Sequence, residues 1–262
     1  MQLHLYQIDA FTNELFSGNP ACVVPLSRWP ADDLLLKIAK ENAVAETAFF
    51  VDNGLRIQLR WFTPEAEIDL CGHATLATAH ALKEIRGYTR KTILFDTKSG
   101  ELEVKIEDSH YTLNFPSRKP SPTPLPSLLR DSINIQPQET LKARDFVLVY
   151  PHEEDIKNIQ IDRLKFDKLE LGPGGVIFTA PGKSCDFVSR FFTPGASVFE
   201  DPVTGSAHCS LIPYWSKKFS KTEMKANQIS ERGGKLFCKN NGDRVAISGN
   251  ARTYSIGKLW TE

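Results

Sequence analysis

One motif occurs twice in this chain. Arg60, Phe62, Thr63 and Pro64 recur as Arg190, Phe192, Thr193 and Pro194, an offset of 130 residues in a chain of 262. The stretch RWFTPEAEIDLCGHATLATA at 60 to 79 therefore returns as RFFTPGASVFEDPVTGSAHCSL at 190 to 211. After a three-residue insertion, Gly72 aligns with Gly205 and Ala74 with Ala207. Each copy reads as a strand, a Pro-containing loop and a glycine that opens a helix. A period of half the chain predicts a duplicated fold, with the functional site between the halves.

Composition narrows the class. Formal charge is zero, 41% of residues are hydrophobic and 24% are charged, the profile of a globular protein with enough chain for two domains. The densest basic cluster, Lys217, Lys218 and Lys221, is short and reads as a solvated helix end, so nucleic acid is not an expected partner. No apolar run approaches the roughly 20 residues that span a bilayer, and MQLHLYQIDAF lacks the charged and apolar regions of a signal peptide. No membrane contact is expected. Five cysteines at 22, 71, 185, 209 and 238 fit isolated thiols in a reducing compartment, and the expected location is cytoplasmic.

Short β-rich runs dominate, which predicts an α+β fold. Strands are predicted over 3–9, 46–51, 56–62, 92–96, 101–106 and 110–115 in the first half. In the second half they are predicted over 145–150, 175–180, 185–192, 234–239, 243–248 and 253–259. Pro30 followed by ADDLLLKIAKEN predicts one helix with acids in its first turn. HATLATAHALKEIR, ending at Gly87, predicts a second. The alanines of that second helix, Ala74, Ala77, Ala79 and Ala81, allow strands to approach on several sides, so it is expected to be central and buried. A further helix is predicted over 205–219. PSRKPSPTPLP, at 116 to 126, carries five prolines and reads as an irregular crossover between the domains.

The duplicated corner also carries chemistry. Gly72-His73-Ala74 and Gly205-Ser206-Ala207 each set free N–H groups and the positive end of a helix dipole at the end of a loop, an acceptor for carboxylate or enolate charge. Ser206 can donate a hydrogen bond and His73 can shuttle a proton. The plainer alternative makes Ser206 a helix cap and His73 a packed surface residue. Two acids join them. Glu46 sits in the apolar segment NAVAETAFF, where desolvation suits an acid to proton transfer near neutral pH; its alternative is an exposed acid on a strand edge or turn. Asp201 precedes the second helix, and there a turn residue, or Glu200 in its place, is the alternative.

SGNPACVV at 17 to 24, NAVAETAFF at 42 to 50, the RWFTP to HATLATAHAL stretch at 60 to 82 and EDPVTGSAH at 200 to 208 resemble the motifs of the PhzF-like, phenazine-biosynthesis-like family. That family belongs to the diaminopimelate-epimerase-like superfold. The resemblance implies two pseudo-symmetric domains, each a curled, mainly antiparallel sheet wrapped around a central helix. It places the first domain at 1–116, completed by a closing strand about 253–262, and the second at 117–252, with the active site in the cleft. It also implies an isomerase without cofactor that shifts a proton on a small carboxylate-bearing substrate. Carried over residue by residue, Glu46 becomes the proton-transfer group, and His73 and Asp201 become contacts that assist it. Ser206 with the Gly72 and Gly205 amides becomes the anion pocket. A homodimer is common in the resembling family.

Amino-acid epimerases of this superfold use two cysteines as opposed acid and base. Here Cys71 holds the first such position and the repeat sets Thr204 at the second, where a hydroxyl cannot replace a thiolate; racemisation or epimerisation of amino acids is the disfavoured alternative. Both residues remain candidate substrate contacts. A zinc site shared by Cys71, His73, His208 and Cys209 lacks a recognised spacing, and no metal is expected. APGKS at 180 to 184 has Ile177 where a phosphate loop needs glycine, and GPGG at 172 to 175 lacks the dinucleotide pattern. A non-catalytic small-anion-binding protein is the remaining alternative, opposed by the two carboxylates of Glu46 and Asp201, which would repel an anion.

Overall fold

The computed structural model describes residues 1–54, 56–172 and 174–261. Pro173 of the GPGG run and Glu262 at the end of the expected closing strand lie outside them. The chain divides into two units, 1–115 with 247–262, and 116–246.

The first unit contains β1 (Gln2–Ala10), β2 (Asn19–Leu26), α1 (Asp32–Asn42), β3 (Glu46–Asp52), β4 (Ile57–Phe62), β5 (Glu67–Ile68) and α2 (Gly72–His80). It continues through β6 (Thr92–Thr97), β7 (Gly100–Glu107) and β8 (His110–Pro116). Its sheet is mainly antiparallel, β1 pairing with β2, β3 with β4, β6 with β7 and β7 with β8. The parallel exceptions are β2 on β3 and β4 on β6. The last strand of the chain, Ala251–Trp260, returns to pair antiparallel with β1, shifting register between Gln7 and Ile8.

Burial follows from which face each helix covers. Leu35 and Ile38 of α1 pack with Val24, Phe49 and Phe62 on one face of the sheet. α2 packs against β1, β2 and β3. With a helix on each side, β3 is buried at Thr47, Ala48, Phe49 and Phe50 in succession, where a one-faced strand would alternate. Every residue of α2 is buried, and Ala74, Ala77, Ala79 and Ala81 are fully inaccessible. Beyond His80 the helix loosens into a π-helical turn, Ala81–Ile85, and stops at Gly87 with φ of +72°.

The second unit repeats the plan. It comprises β9 (Ser121–Pro122), α3 (Ser127–Asp131), β10 (Glu139–Lys142), β11 (Phe146–Val149), α4 (Glu153–Lys157), α5 (Arg163–Phe166), β12 (Val176–Pro181) and β13 (Phe187–Phe192). β14 (Glu200–Asp201), α6 (Gly205–Phe219), β15 (Glu223–Gln228), β16 (Gly234–Asn240) and β17 (Arg244–Gly249) follow, and the closing strand of the chain is β18. Parallel β11 on β12 and β13 on β15 match the two parallel pairs of the first unit. Antiparallel β12 on β13 and β13 on β14 match β3 on β4 and β4 on β5. Phe146, Leu148, Phe178, Val188 and Phe192 form a core against the short helices α3 to α5. Gly205 to Ser216 of α6 are all buried.

α6 carries Pro213 in its interior. Proline has no N–H, so the Cys209 carbonyl loses its partner four residues on. The Arg118 amide donates to that carbonyl at 2.9 Å. The proline-rich crossover thus supplies a bond the helix lacks. It is also more regular than its composition predicts, since Ser121 and Pro122 pair with Lys142 and Leu141 as β9. A proline at the margin of a sheet forfeits no ladder bond there.

Candidate active site

The duplicated corner is built the same way in both units. Trp61 and Phe62 pair with Ile68 and Glu67, and Phe191 and Phe192 pair with Asp201 and Glu200. In the first copy Arg60 donates from Nε and Nη2 to the two oxygens of Glu67 at 2.7 and 2.9 Å. In the second, Arg190 donates to Glu200 at 2.7 and 2.8 Å. Each guanidinium also lies over the phenylalanine two residues on, Phe62 at 5.2 Å and Phe192 at 4.9 Å. These bidentate pairs lock the turn that delivers the chain to the helix. Glu200 is thereby engaged by Arg190. The Arg60 hydrogen bonds hold the Glu67 carboxyl below its ordinary range.

Cys71 and Thr204 are the equivalent residues just before α2 and α6, both in extended backbone and neither capping its helix with its side chain. The N–H groups of both first turns therefore keep no intrahelical partner and face outward from the helix end.

In the first unit the structure brings Glu46, Cys71 and His73 together. Glu46 opens β3 and lies half-buried, not exposed on an edge. His73, second residue of α2, is buried, with its Nε2 3.0 Å from the Glu46 carboxylate. The two atoms are in ion-pair contact but not aligned as a hydrogen bond, and both are shielded from solvent. Nδ1, on the other edge of the ring, meets the Asn19 side-chain amide at 3.1 Å and Cys71 Sγ at 3.6 Å. An amide can donate or accept according to its orientation, so Asn19 serves either protonation state of the ring.

Charge in this cluster is set by burial against attraction. Burial works to depress the His73 imidazolium, while Cys71 and then Glu46, by charge and by hydrogen bonding, act against it, and the net direction is upward from the ordinary histidine value. Desolvation, with the Glu46 charge adding, lifts the Cys71 thiol to about 11. At neutral pH Cys71 is therefore a thiol, and the upward pull that remains on His73 is that of Glu46. The ligand atoms of Glu46, Cys71 and His73 lie within 4.8 Å of one another, close enough for three donors to share a metal ion. The thiol and the carboxylate, however, meet opposite nitrogens of the ring. The imidazole thus lies between two acids, an order that suits passage of a proton across the ring.

In the second unit Asp201, Thr204, Gly205 and Ser206 surround the start of α6. The Thr204 hydroxyl donates to Asp201 Oδ2 at 2.5 Å and accepts from Gln228 Nε2 at 3.1 Å. Gln228 also accepts the Thr204 amide at 2.8 Å and donates to the Asp201 carbonyl at 2.7 Å. Where the first unit has a thiol beside a histidine, the second has a hydroxyl tied into a fixed network. Ser206 lies inside the helix and does not cap it, and its Oγ accepts from Arg144 at 2.9 Å. His208 donates from Nδ1 to the Thr204 carbonyl at 2.9 Å and is fully buried. Cys209 is a buried thiol raised to about 11 by desolvation.

Asn19, Gln228, Arg144 and Asp145 escaped the sequence reading. Asn19 lies inside the quoted SGNPACVV motif, and the adjacent opposite charges of Arg144 and Asp145 at the edge of the apolar run FVLV were a visible signal.

A family model for phenazine biosynthesis-like proteins matches residues 8–257. An uncharacterized isomerase of Pseudomonas aeruginosa is 45% identical over 260 residues, covering 99% of each chain. A crystal structure of a PhzF-family protein from Enterococcus faecalis aligns over 100% of both chains with a TM-score of 0.94 and 42% identity. A hydroxyproline epimerase from Agrobacterium vitis, at 12% identity and a TM-score of 0.61 over 98% of this chain and 92% of its own, shares the fold alone. The chain belongs to the phenazine biosynthesis-like, or PhzF, family. It is an enzyme of the isomerase class on an epimerase-like α+β fold.

Two buried histidines outside this cluster make the fold sensitive to acid. Desolvation lowers His208 and His80 to about 4 each. Their unfolded value is higher, near 6.5, so between those limits the unfolded chain binds more protons. Stability is complete above about 6.5 and is lost as pH falls towards about 4. Urea midpoints across this window are expected to fall with acid, and His208→Asn, which keeps a donor for the Thr204 carbonyl, is expected to flatten the slope by up to about one proton.

Proposed function

We propose that this protein is a cofactor-independent isomerase that moves a proton on a small carbon acid bearing a carboxylate. The observation that carries the reading is the buried 3.0 Å contact of Glu46 with His73 at the start of α2. In it a carboxylate able to take a proton is held beside an imidazolium able to return one. Glu46 accepts the proton as a C–H bond breaks and its electron pair enters the adjoining π system. Protonated Glu46, or His73 through Nε2, then delivers a proton to a different carbon, which completes the double-bond shift. Cys71, a thiol at neutral pH, serves as a wall and hydrogen-bond neighbour of His73.

Ser206 and the Gly205 amide take the substrate carboxylate, with the first-turn amides of α2, from Gly72 onward, as a second donor set. The duplication of the corner supports both helix starts serving one substrate in a cleft. Asp201 assists as a polar contact through its bond with Thr204. Two-cysteine epimerisation is disfavoured because Thr204 is bound in its own network and Cys71 keeps its proton.

The five free thiols support a cytoplasmic location. No helix among the described residues is long and apolar enough to cross a membrane. We also read the protein as a homodimer, which would cover the exposed Tyr254, Ile256 and Trp260 of β18 and the Phe16 ring packed edge-on against Tyr254. Light scattering is expected to return twice the 29.4 kDa chain mass; a monomer at micromolar concentration would end that reading.

The enzymatic reading is tested in deuterated water by proton NMR, with dihydro-hydroxyanthranilate and simple amino acids as the opening panel. A substrate should show double-bond migration or solvent deuterium incorporation. Glu46→Gln is expected to abolish both while keeping the fold, a loss of at least about 100-fold, and Cys71→Ser to retain most of the activity. Full activity in Glu46→Gln would remove Glu46 from the mechanism. Ligand-induced shifts without exchange would favour a binding protein.

A further inference from the structure

Ser206 has a neighbour that decides what its hydroxyl can do. Arg144, between β10 and β11, donates from Nη2 to Ser206 Oγ at 2.9 Å. A guanidinium has no acceptor atom, so the direction of this bond is fixed: Oγ accepts, and the hydroxyl proton must point away from Arg144. A serine inside a helix commonly turns that proton back to the carbonyl four residues earlier, here Pro202. No such bond is made: that carbonyl accepts from the Ser230 hydroxyl at 2.8 Å. Among the described residues the Arg144 bond is the one hydrogen bond of the Ser206 side chain.

Arg144 is itself held rigidly. Asp145, whose side chain is fully buried, accepts from Arg144 Nε at 3.1 and 3.3 Å and from Nη2 at 3.1 Å. The Gly175 amide donates to the same carboxylate at 2.9 Å. Gly175 has no room for a side chain, since a Cβ there would lie 2.4 Å from the Phe191 ring. The loop, the aspartate and the arginine form one supported chain that ends on Ser206.

We propose that Arg144 is a positioning residue that makes Ser206 an obligate hydrogen-bond donor towards an anionic group, with its positive charge reserved for that orientation by Asp145. The proposal rests on the reading that Ser206 takes the substrate carboxylate, and extends it: at this point the pocket takes an acceptor such as a carboxylate oxygen and rejects a donor such as an ammonium or amide N–H, because the hydroxyl proton has no other direction to point. Asp145 pairs with Arg144, so this donor-against-acceptor requirement is set by the directed hydroxyl and not by net charge.

The test uses acetate as the minimal carboxylate and follows the Gly205 and Ser206 amide signals by NMR, with chloride at matched ionic strength as control. The native protein should show saturable shifts at both amides. R144Q should weaken acetate about five- to tenfold, the worth of one directed hydrogen bond, S206A should do the same, and R144Q/S206A should be no weaker than S206A alone. R144K, also a donor without acceptors, should keep most of the affinity. Because R144Q leaves a buried carboxylate without its partner, R144Q/D145N repeats the measurement with both charges removed. Native affinity in the folded R144Q or R144Q/D145N protein would overturn the role of Arg144 and leave the carboxylate site standing. Multiplying effects of R144Q and S206A would overturn positioning in favour of direct charge. No saturable response in the native protein would overturn the carboxylate reading of Ser206 and this proposal with it.

Discussion

Two guanidinium–carboxylate pairs, Arg60 with Glu67 and Arg190 with Glu200, fix where the working helices begin. Each pair spans the turn between a sheet strand and the helix start, and its partners are largely shielded, at 19 and 12% exposure in the first and 16 and 22% in the second. A pair in that position is worth more than a surface contact, though short of the roughly 3–5 kcal/mol lost when one partner of a fully buried pair is removed. Its larger effect is geometric. With the strand–turn–helix corner locked, the unpartnered N–H groups of the first turn point in a set direction, and whatever sits just before and after the opening glycine is delivered to the same place in both units.

From that shared frame the two copies diverge by chemistry. The position before the glycine is a thiol in one and a hydroxyl in the other. Cys71 stands next to a histidine and an acid whose opposite charges would be costly to bury apart, so they are held together beside it. Thr204 is tied to Asp201 and Gln228 and has no freedom to act as a base. The residue after the glycine divides the same way: His73 has a titratable ring, whereas Ser206 has a hydroxyl that accepts from Arg144. On the proposed function, one half of the duplication moves the proton and the other holds the charge.

Much of this was legible in the sequence because it rests on local pattern. The repeat gave the offset of 130 before the insertion, and the pairings Phe62 with Glu67 and Phe192 with Glu200 carry that insertion within the turn. Predicted strands such as 92–96, 101–106 and 110–115 fall inside the observed elements, and the alanine-rich helix is buried throughout its α-helical part, Gly72–His80. β2 escaped because Pro20 and Pro25 stand near its two ends, and β15 because EMKANQ is polar on its face away from the core. The partners of the site residues were hidden for a different reason. Asn19 is 54 residues from His73, and Arg144 is 62 from Ser206, so only the fold brings them into contact.

The central claim is that Glu46 and His73 form a buried pair in which the carboxylate strengthens the hold of the imidazole on its proton. Nitrogen NMR of the His73 ring across a pH series measures this without any substrate. The account expects the ring to remain doubly protonated well above the ordinary histidine value and to lose that proton at lower pH once Glu46 is replaced by glutamine. A neutral ring at pH 7 in the native protein, or a titration unmoved by the replacement, would contradict it.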